Sequence, residues 1–152
     1  METWLLTWNP KYFDWENPDD ETEAVSVLRE TLEKDGTASM TWSCGPNKRI
    51  KIGDRIFIIR LGVEPKGMVA SGYAVSNVYE MPHWDPIKAA AGEWKRYIDV
   101  RFDKVLSSER DKILPLQMLR IVSPLTHWTP ICSGMHIPDD VVAKLNDIWK
   151  DF

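Results

Sequence analysis

Ile56-Phe57-Ile58-Ile59 is apolar at four consecutive positions, which is the pattern of a strand buried on both faces of a sheet. A turn containing Pro65 follows between Gly62 and Gly67, and a second largely apolar stretch runs from Met68 to Val75. Two extended stretches joined by a short turn predict a pair of neighbouring strands. Gly72, inside the second stretch, indicates a close approach of backbones. We therefore expect a sheet at the centre of the fold.

Further strands are predicted on either side of this pair. The short aromatic stretch from Trp4 to Trp8 stops at Asn9-Pro10 and predicts an opening strand, and Ala38 to Ser43 predicts another. Apolar residues alternate with charged ones from about Tyr97 to Leu106, as in a strand with one solvent-exposed face. The residues from Leu116 to Ile121 fit either a helical turn or a further strand.

Two helices are predicted near the ends of the chain. Val25, Leu28 and Leu32 form an apolar stripe that ends before Gly36, and a similar stripe follows Pro138. The long segment from Glu80 to Glu93 is rich in proline and predicts a loop with a short helix at Ile87 to Ala91. We expect an α+β fold in which five to six strands curl into a barrel flanked by helices, as a single domain over residues 1–152.

Composition restricts the class of protein. The chain has 152 residues and a net charge of −4, which argues against a protein that coats nucleic acid nonspecifically, because that mode neutralises many phosphates. No apolar run approaches the roughly 20 residues that a membrane span needs, and the N-terminus lacks the basic start of a signal peptide. Two cysteines are too few for a disulfide framework. We expect a cytoplasmic protein that does not bind membranes.

Charge is distributed unevenly along the chain. Acidic residues dominate from Asp14 to Asp35, whereas cations dominate from Lys48 to Arg60. One face is therefore expected to attract an anion while another repels it, although a solvated mixed surface fits the same pattern. Within the cationic stretch, Lys48, Arg49 and Lys51 are the candidate phosphate-binding residues.

Trp42 is the strongest candidate for a ligand-binding residue. It ends a predicted strand, small polar residues follow it, and the cationic stretch comes next. A flat aromatic ring beside clustered cations is the combination that proteins use to stack a nucleobase and hold its phosphate. The chain has eight tryptophans, more than one small core readily accommodates with every indole N–H satisfied. We expect Trp42 to face an open pocket.

The order of several short motifs resembles a known family. Trp-Leu-Leu-Thr-Trp-Asn-Pro is followed by Met-Thr-Trp-Ser-Cys-Gly, Ile-Gly-Asp-Arg-Ile-Phe-Ile-Ile-Arg-Leu-Gly, Gly-Met-Val-Ala-Ser-Gly and Cys-Ser-Gly-Met-His-Ile. The whole chain resembles an EVE domain of the PUA-like superfamily, which is related to YTH domains. The resemblance implies a small β-barrel that takes a modified base into an aromatic pocket. EVE-type domains are associated with modified DNA bases, and YTH domains with N6-methyladenine in RNA.

The resemblance also implies which residues form the pocket. Trp42 matches a cage tryptophan, with Ser43 beside it, and Trp84 or Trp94 matches a second wall. The end of the first strand matches a segment that contacts the base edge, and a later polar turn lies near the pocket mouth. The segment at the end of the first strand is Thr7, Trp8 and Asn9, and the polar turn is Ser133 and Gly134. From the residues alone, Trp8 also fits a core position, Trp84 and Trp94 also fit loop contacts, and Asn9 also fits a turn.

Catalytic and metal-binding patterns are absent from the sequence. No zinc-ligand spacing, phosphate-binding loop or dinucleotide fingerprint occurs, and Cys44 has no candidate base near it in sequence. We therefore expect a non-enzymatic protein without a cofactor, a metal or catalytic residues.

The expected partner of this protein is DNA with a modified base, such as methylated or hydroxymethylated cytosine. In bacteria, domains of this kind are often joined to nucleases in restriction systems that attack modified DNA. Since this chain has no room for a nuclease, we expect a monomer that works with a separate nuclease or effector protein in restriction or defence. Two alternatives remain, namely a reader of modified RNA and a protein-interaction module that uses exposed tryptophans.

Overall fold

The computed structural model describes all 152 residues and contains an eight-stranded sheet and four α-helices. The strands are β1 (Thr3–Trp8), β2 (Ala38–Ser43), β3 (Arg55–Arg60), β4 (Gly67–Ala74), β5 (Tyr79–Pro82), β6 (Trp94–Val105), β7 (Leu114–Pro115) and β8 (Met135–Ile137). The helices are α1 (Val25–Asp35), α2 (Pro86–Ala90), α3 (Leu116–Val122) and α4 (Asp139–Trp149). No helix has both the length and the apolar character needed to span a membrane.

The sheet runs in the order β2-β6-β4-β3-β1-β8, with β5 paired to β6 and β7 paired to β4. β1 and β3 are parallel, and the other pairs are antiparallel. Register shifts interrupt the β3–β4 and β4–β6 pairs, and such bulges bend a sheet. No backbone ladder joins β2 to β8, so the curled sheet is not a closed barrel.

β3 separates two apolar cores, as its sequence predicts. Ile56 and Ile58 belong to one cluster, whereas Phe57 and Ile59 belong to the other, and all four side chains are fully buried. The first cluster also contains Val25 and Leu28 of α1 together with four of the eight tryptophans. The second lies beneath α3 and α4 and contains Trp149. Helices therefore cover both faces of the sheet.

Gly72 of β4 lies where two strand backbones approach closely, which confirms the prediction for this residue. A Cβ atom there would lie 2.2 Å from the carbonyl oxygen of Arg101 on β6. Any side chain at this position would push the two strands apart. This close approach coincides with the register shift between Ser71 and Gly72, where the sheet bends.

The predicted α+β architecture is confirmed, and the ambiguous stretch from Leu116 is a helix. The sheet has eight strands rather than the expected five to six, since β5, β7 and β8 were not predicted. These strands have four, two and three residues, too few for a periodic pattern to be recognised. β5 lies almost wholly inside the segment that was expected to be a loop. It pairs with Trp94–Tyr97 of β6 on the edge opposite to β2, the edge that β4 occupies from Val100 onward.

Candidate nucleic-acid interface

Side chains join the ends of β1 and β2, although these strands do not pair. The Ser133 hydroxyl accepts a hydrogen bond from the Thr7 N–H at 3.1 Å and donates one to the Ser43 carbonyl at 2.9 Å. The Trp42 Nε1–H donates to the Thr7 carbonyl at 3.2 Å. We call these contacts among Thr7, Trp42, Ser43 and Ser133 the seam. They close the curl of the sheet where backbone pairing is missing.

Two glycines allow close backbone contact beside the seam. A Cβ atom on Gly134 would lie 2.5 Å from the Cys44 carbonyl oxygen, and one on Gly45 would lie 2.6 Å from the Ser133 carbonyl oxygen. Both glycines have positive φ, which favours glycine at these positions. The Asn47 side-chain amide donates to the Gly134 carbonyl at 2.8 Å. Ser133 and Gly134 therefore hold the two edges of the sheet together.

Trp42 is buried in the first core, with 6% of its surface exposed. Its ring packs against Trp15 at 4.7 Å between centroids, and the edge of Phe13 meets it at 5.9 Å. The expectation that Trp42 faces an open pocket is wrong, because the irregular segment after β1 places these two aromatic rings over it. Neither Phe13 nor Trp15 was recognised as a candidate from the sequence.

Trp8 is also a core residue, buried within the same cluster. Its Nε1–H donates to the Phe13 carbonyl at 2.8 Å, and the Arg60 guanidinium lies 5.1 Å from its ring centroid. Its ring is therefore covered by protein in this structure.

Thr7 and Asn9 flank Trp8 and make mainly structural contacts. Thr7 lies on the same face of β1 as Leu5, whose side chain belongs to the second core, so its backbone rather than its side chain meets Trp42. The Asn9 Oδ1 accepts a hydrogen bond from the Lys11 N–H at 3.0 Å, which shapes the turn. A Cβ atom on Gly62 would lie 2.5 Å from the Asn9 side chain, which packs closely there.

Trp84 is accessible, with 42% of its surface exposed. One side of its ring lies against His83, with centroids 5.2 Å apart and planes inclined by 36°. Burial, and then the neighbouring Lys95 and Lys88, lower the pKa of the His83 imidazole. The ring is therefore neutral near pH 7, and its Nδ1 accepts a hydrogen bond from the Asp85 N–H at 3.0 Å.

Phe13 connects Trp84 to Trp42. Its ring makes an edge contact with Trp84 at 6.1 Å and another with Trp42 at 5.9 Å. The structure thus brings the two predicted cage tryptophans into contact with the same phenylalanine. We call the volume that the Phe13 ring fills between Trp42 and Trp84 the slot.

Trp94 lies apart from the slot, at the start of β6 opposite Pro82. It is 63% exposed and makes no ring contact with another aromatic residue. Lys95 follows it and is half-buried without an ion-pair partner. Burial, followed by the nearby Lys88, lowers the pKa of the Lys95 amine. An anion bound here would offset both effects. Lys95 was not recognised as a candidate from the sequence.

The cationic turn is exposed and has a fixed backbone. Lys48, Arg49 and Lys51 form no ion pairs with protein carboxylates. The Asn47 Oδ1 accepts hydrogen bonds from the N–H groups of Arg49 at 2.6 Å and Ile50 at 3.2 Å. Since Asn47 also binds Gly134, the turn is attached directly to the residues beside the seam.

Asp54 fixes the other side of the cationic turn. Its buried carboxylate accepts hydrogen bonds from Trp4 Nε1 at 2.9 Å, from the Lys51 N–H at 3.0 Å and from the Glu2 N–H at 3.1 Å. Burial raises the pKa of this carboxyl, but the three donors outweigh that effect and hold the pKa below its ordinary value. The carboxylate therefore stays ionised and holds the turn against β1.

No metal-binding group and no activated thiol accompany these residues. The structure contains no cluster of three or more His, Cys, Asp or Glu side chains that is arranged to hold a metal ion. Burial raises the pKa of the Cys44 thiol to about 11, so this thiol is protonated at neutral pH. Its Sγ lies 3.6 Å from the Asn47 carbonyl, to which it donates a hydrogen bond.

Comparison with solved structures identifies the fold. A hypothetical protein from Leishmania major has a TM-score of 0.65 at 15% identity, covering 99% of this chain and 96% of that one. A protein from Pseudomonas syringae has a TM-score of 0.64 at 17% identity, covering 96% and 98%. Human THYN1, solved in complex with DNA containing 5-methylcytosine, has a TM-score of 0.64 at 13% identity, covering 99% and 98%. The chain has an EVE-type, PUA-like fold. No protein family profile and no curated protein sequence matches it.

Within this EVE-type fold, the predicted pocket residues have different surroundings. Trp42 and Trp84 both contact Phe13, which fills the slot, and Ser43, Thr7 and Ser133 form the seam next to Trp42. Trp8 is in the core, and Trp94 is on an exposed edge. The candidate interface therefore comprises the slot, the seam and the flanking cations.

Proposed function

We propose that this protein binds nucleic acid containing a modified base, takes that base between Trp42 and Trp84, and leaves it chemically unchanged. The observation that carries the proposal is that Trp42 and Trp84 both contact one aromatic ring, that of Phe13. The cation Lys95, which has no ion-pair partner, acts electrostatically on His83, the residue that lies against Trp84. The shared fold with human THYN1, which was solved with 5-methylcytosine DNA, supports DNA as the partner.

The free-energy cost of flipping a base is similar in size to the free energy gained when the base stacks on aromatic rings. Turning a base out of a duplex costs a few kcal/mol, and stacking on aromatic rings returns about 1–3 kcal/mol per base. Stacking on the two rings of Trp42 and Trp84 therefore offsets the free-energy cost of flipping. A methyl group contributes only about 0.8 kcal/mol through burial, so discrimination also needs a closely fitting slot in which a missing methyl leaves a void.

A polar side chain at the start of the segment that carries Phe13 is suited to contact the base edge. The Asn9 side-chain nitrogen has no hydrogen-bond partner in the protein, so it is available to donate to a base acceptor. Ser43 and Ser133 already bind each other at the seam, and we assign them the role of holding Trp42 in place. Thr7, Trp8 and Gly134 act in the same supporting way, and Trp94 is assigned to a neighbouring nucleotide.

The cations are assigned to phosphates. Lys48, Arg49 and Lys51 lie on one side of the seam residues, and Lys95 lies at the start of β6. Phosphate contacts supply affinity and register without reading sequence. Because the chain offers few such contacts and carries a net charge of −4, affinity is expected to be modest. A reader without catalysis acts through another molecule, and we propose a separate nuclease or effector protein in a restriction or defence system.

Fluorescence anisotropy on the whole chain tests this function. The ligands are matched oligonucleotides carrying cytosine, 5-methylcytosine or 5-hydroxymethylcytosine in DNA, and adenine or N6-methyladenine in RNA. We expect a modified cytosine to bind roughly tenfold more tightly than cytosine or better, as shape-selective pockets achieve for one carbon. Mass spectrometry should return every strand unchanged. A preference confined to the RNA pair would identify an RNA reader, and equal affinity for all five ligands would contradict base reading.

A further inference from the structure

The Phe13 side chain occupies the slot itself. Its ring is half-buried and meets Trp42 and Trp84 edge-on, with interplanar angles of 81° and 65°. Trp42 and Trp84 make no direct ring contact with each other. A base cannot lie between the two tryptophans while the phenylalanine ring remains there. The slot is therefore closed in this structure.

The backbone around Phe13 is held in place, so the ring is the part that can move. The Phe13 carbonyl accepts the hydrogen bond from Trp8 Nε1 at 2.8 Å, and its N–H donates to the Asn9 carbonyl at 3.2 Å. Trp15, two residues later, is fully buried and donates from its Nε1 to the Glu23 carbonyl at 2.9 Å. Rotation of a partly exposed side chain is fast, whereas moving this segment would break these hydrogen bonds.

We propose that Phe13 is a gate that closes the base slot in the free protein and rotates out when a modified base enters. This inference rests on the proposed function. A bound base and the Phe13 ring compete for the same two aromatic surfaces. The apparent affinity is therefore the affinity of the open slot multiplied by the fraction of time that the slot is open. An unmodified strand that is held only through its phosphates does not need the slot and is not affected by the gate.

Replacement of the ring tests the gate. Phe13→Ala should raise the association rate and the affinity for a 5-methylcytosine oligonucleotide by about three- to tenfold, because the slot no longer has to open. Binding of the matched cytosine oligonucleotide should change by less than about twofold. Stopped-flow anisotropy measures both. Tyr12→Ala is the matched control, because this neighbouring ring is exposed and makes no contact with the slot; it should behave as wild type.

Two further results separate the gate from other roles. Phe13→Trp, which enlarges the ring, should slow association with the 5-methylcytosine strand, and thermal melting confirms that each variant is folded. A folded Phe13→Ala protein that binds this strand more slowly or more weakly than wild type would overturn the gate and make Phe13 a wall of the pocket. A wild-type protein without any preference for the modified strand would instead contradict the proposed function.

Discussion

Trp42→Ala is expected to lower the free energy of unfolding by about 3–5 kcal/mol and to abolish selective binding of a modified base. The ring packs against Trp15 and Phe13 in the first core, so its removal leaves a cavity. It also removes the hydrogen bond that Trp42 Nε1 donates to Thr7 across the seam. Chemical denaturation measures the stability, and anisotropy at a temperature where the variant is folded measures the binding.

Trp42→Phe is the control for this prediction, because it keeps an aromatic surface while losing the indole N–H. We expect the free energy of unfolding to fall by a smaller amount, about 1–3 kcal/mol, because the Thr7 carbonyl loses its hydrogen-bond donor and the ring is smaller. Part of the selectivity for the modified base should be retained. Trp42→Ala with wild-type stability would show that this ring is not part of the core. A stable Trp42→Ala variant with full selectivity would remove Trp42 from the slot.

Neutralising the cationic turn is expected to weaken every oligonucleotide by similar factors. In the triple variant Lys48→Gln, Arg49→Gln, Lys51→Gln, three phosphate contacts are lost, so the slope of log K against log salt should become less negative by about 2–3. At low salt the affinity for cytosine and 5-methylcytosine strands should fall together, by about tenfold or more. Anisotropy titrations at several salt concentrations provide both numbers.

A matched triple variant separates local contacts from net charge. Lys34, Arg120 and Lys144 are exposed, form no ion pairs and lie on α1, α3 and α4. Changing them to Gln alters the net charge by the same amount as the first triple variant does. It should leave the slope of log K against log salt nearly unchanged. If the Lys48, Arg49 and Lys51 variant lost affinity only for the modified strand, the turn would contact the base rather than phosphates.

The architecture follows from local patterns where those patterns are long. Ile56 to Ile59 predicts a strand between two cores because four apolar residues in succession leave no solvent-exposed face, and the structure buries both sides. Gly36, after the stripe of α1, adopts the left-handed conformation that ends a helix. Strands of two to four residues carry no comparable signal, which is why β5, β7 and β8 appear only in the structure.

The surroundings of the candidate site depend on tertiary contacts that no periodic pattern encodes. Trp42 ends a strand beside small polar residues, which suggests exposure, yet Phe13 and Trp15 cover it from an irregular segment far away in sequence. A segment without a helix or strand has no repeat from which its packing can be inferred. By contrast, Trp84 lies in a proline-rich segment where exposure is expected, and it is accessible.

The central claim, that a modified base lies between Trp42 and Trp84, is tested most directly by NMR. A 5-methylcytosine oligonucleotide carrying a carbon-13-labelled methyl group is bound to the wild-type protein, and intermolecular nuclear Overhauser effects from that methyl group are recorded. We predict effects to the indole protons of both Trp42 and Trp84, together with loss of the Phe13–Trp42 contact seen in the free protein. A bound methyl group that shows effects only to Trp94 or to other surface residues, with the Phe13–Trp42 contact intact, would contradict the account.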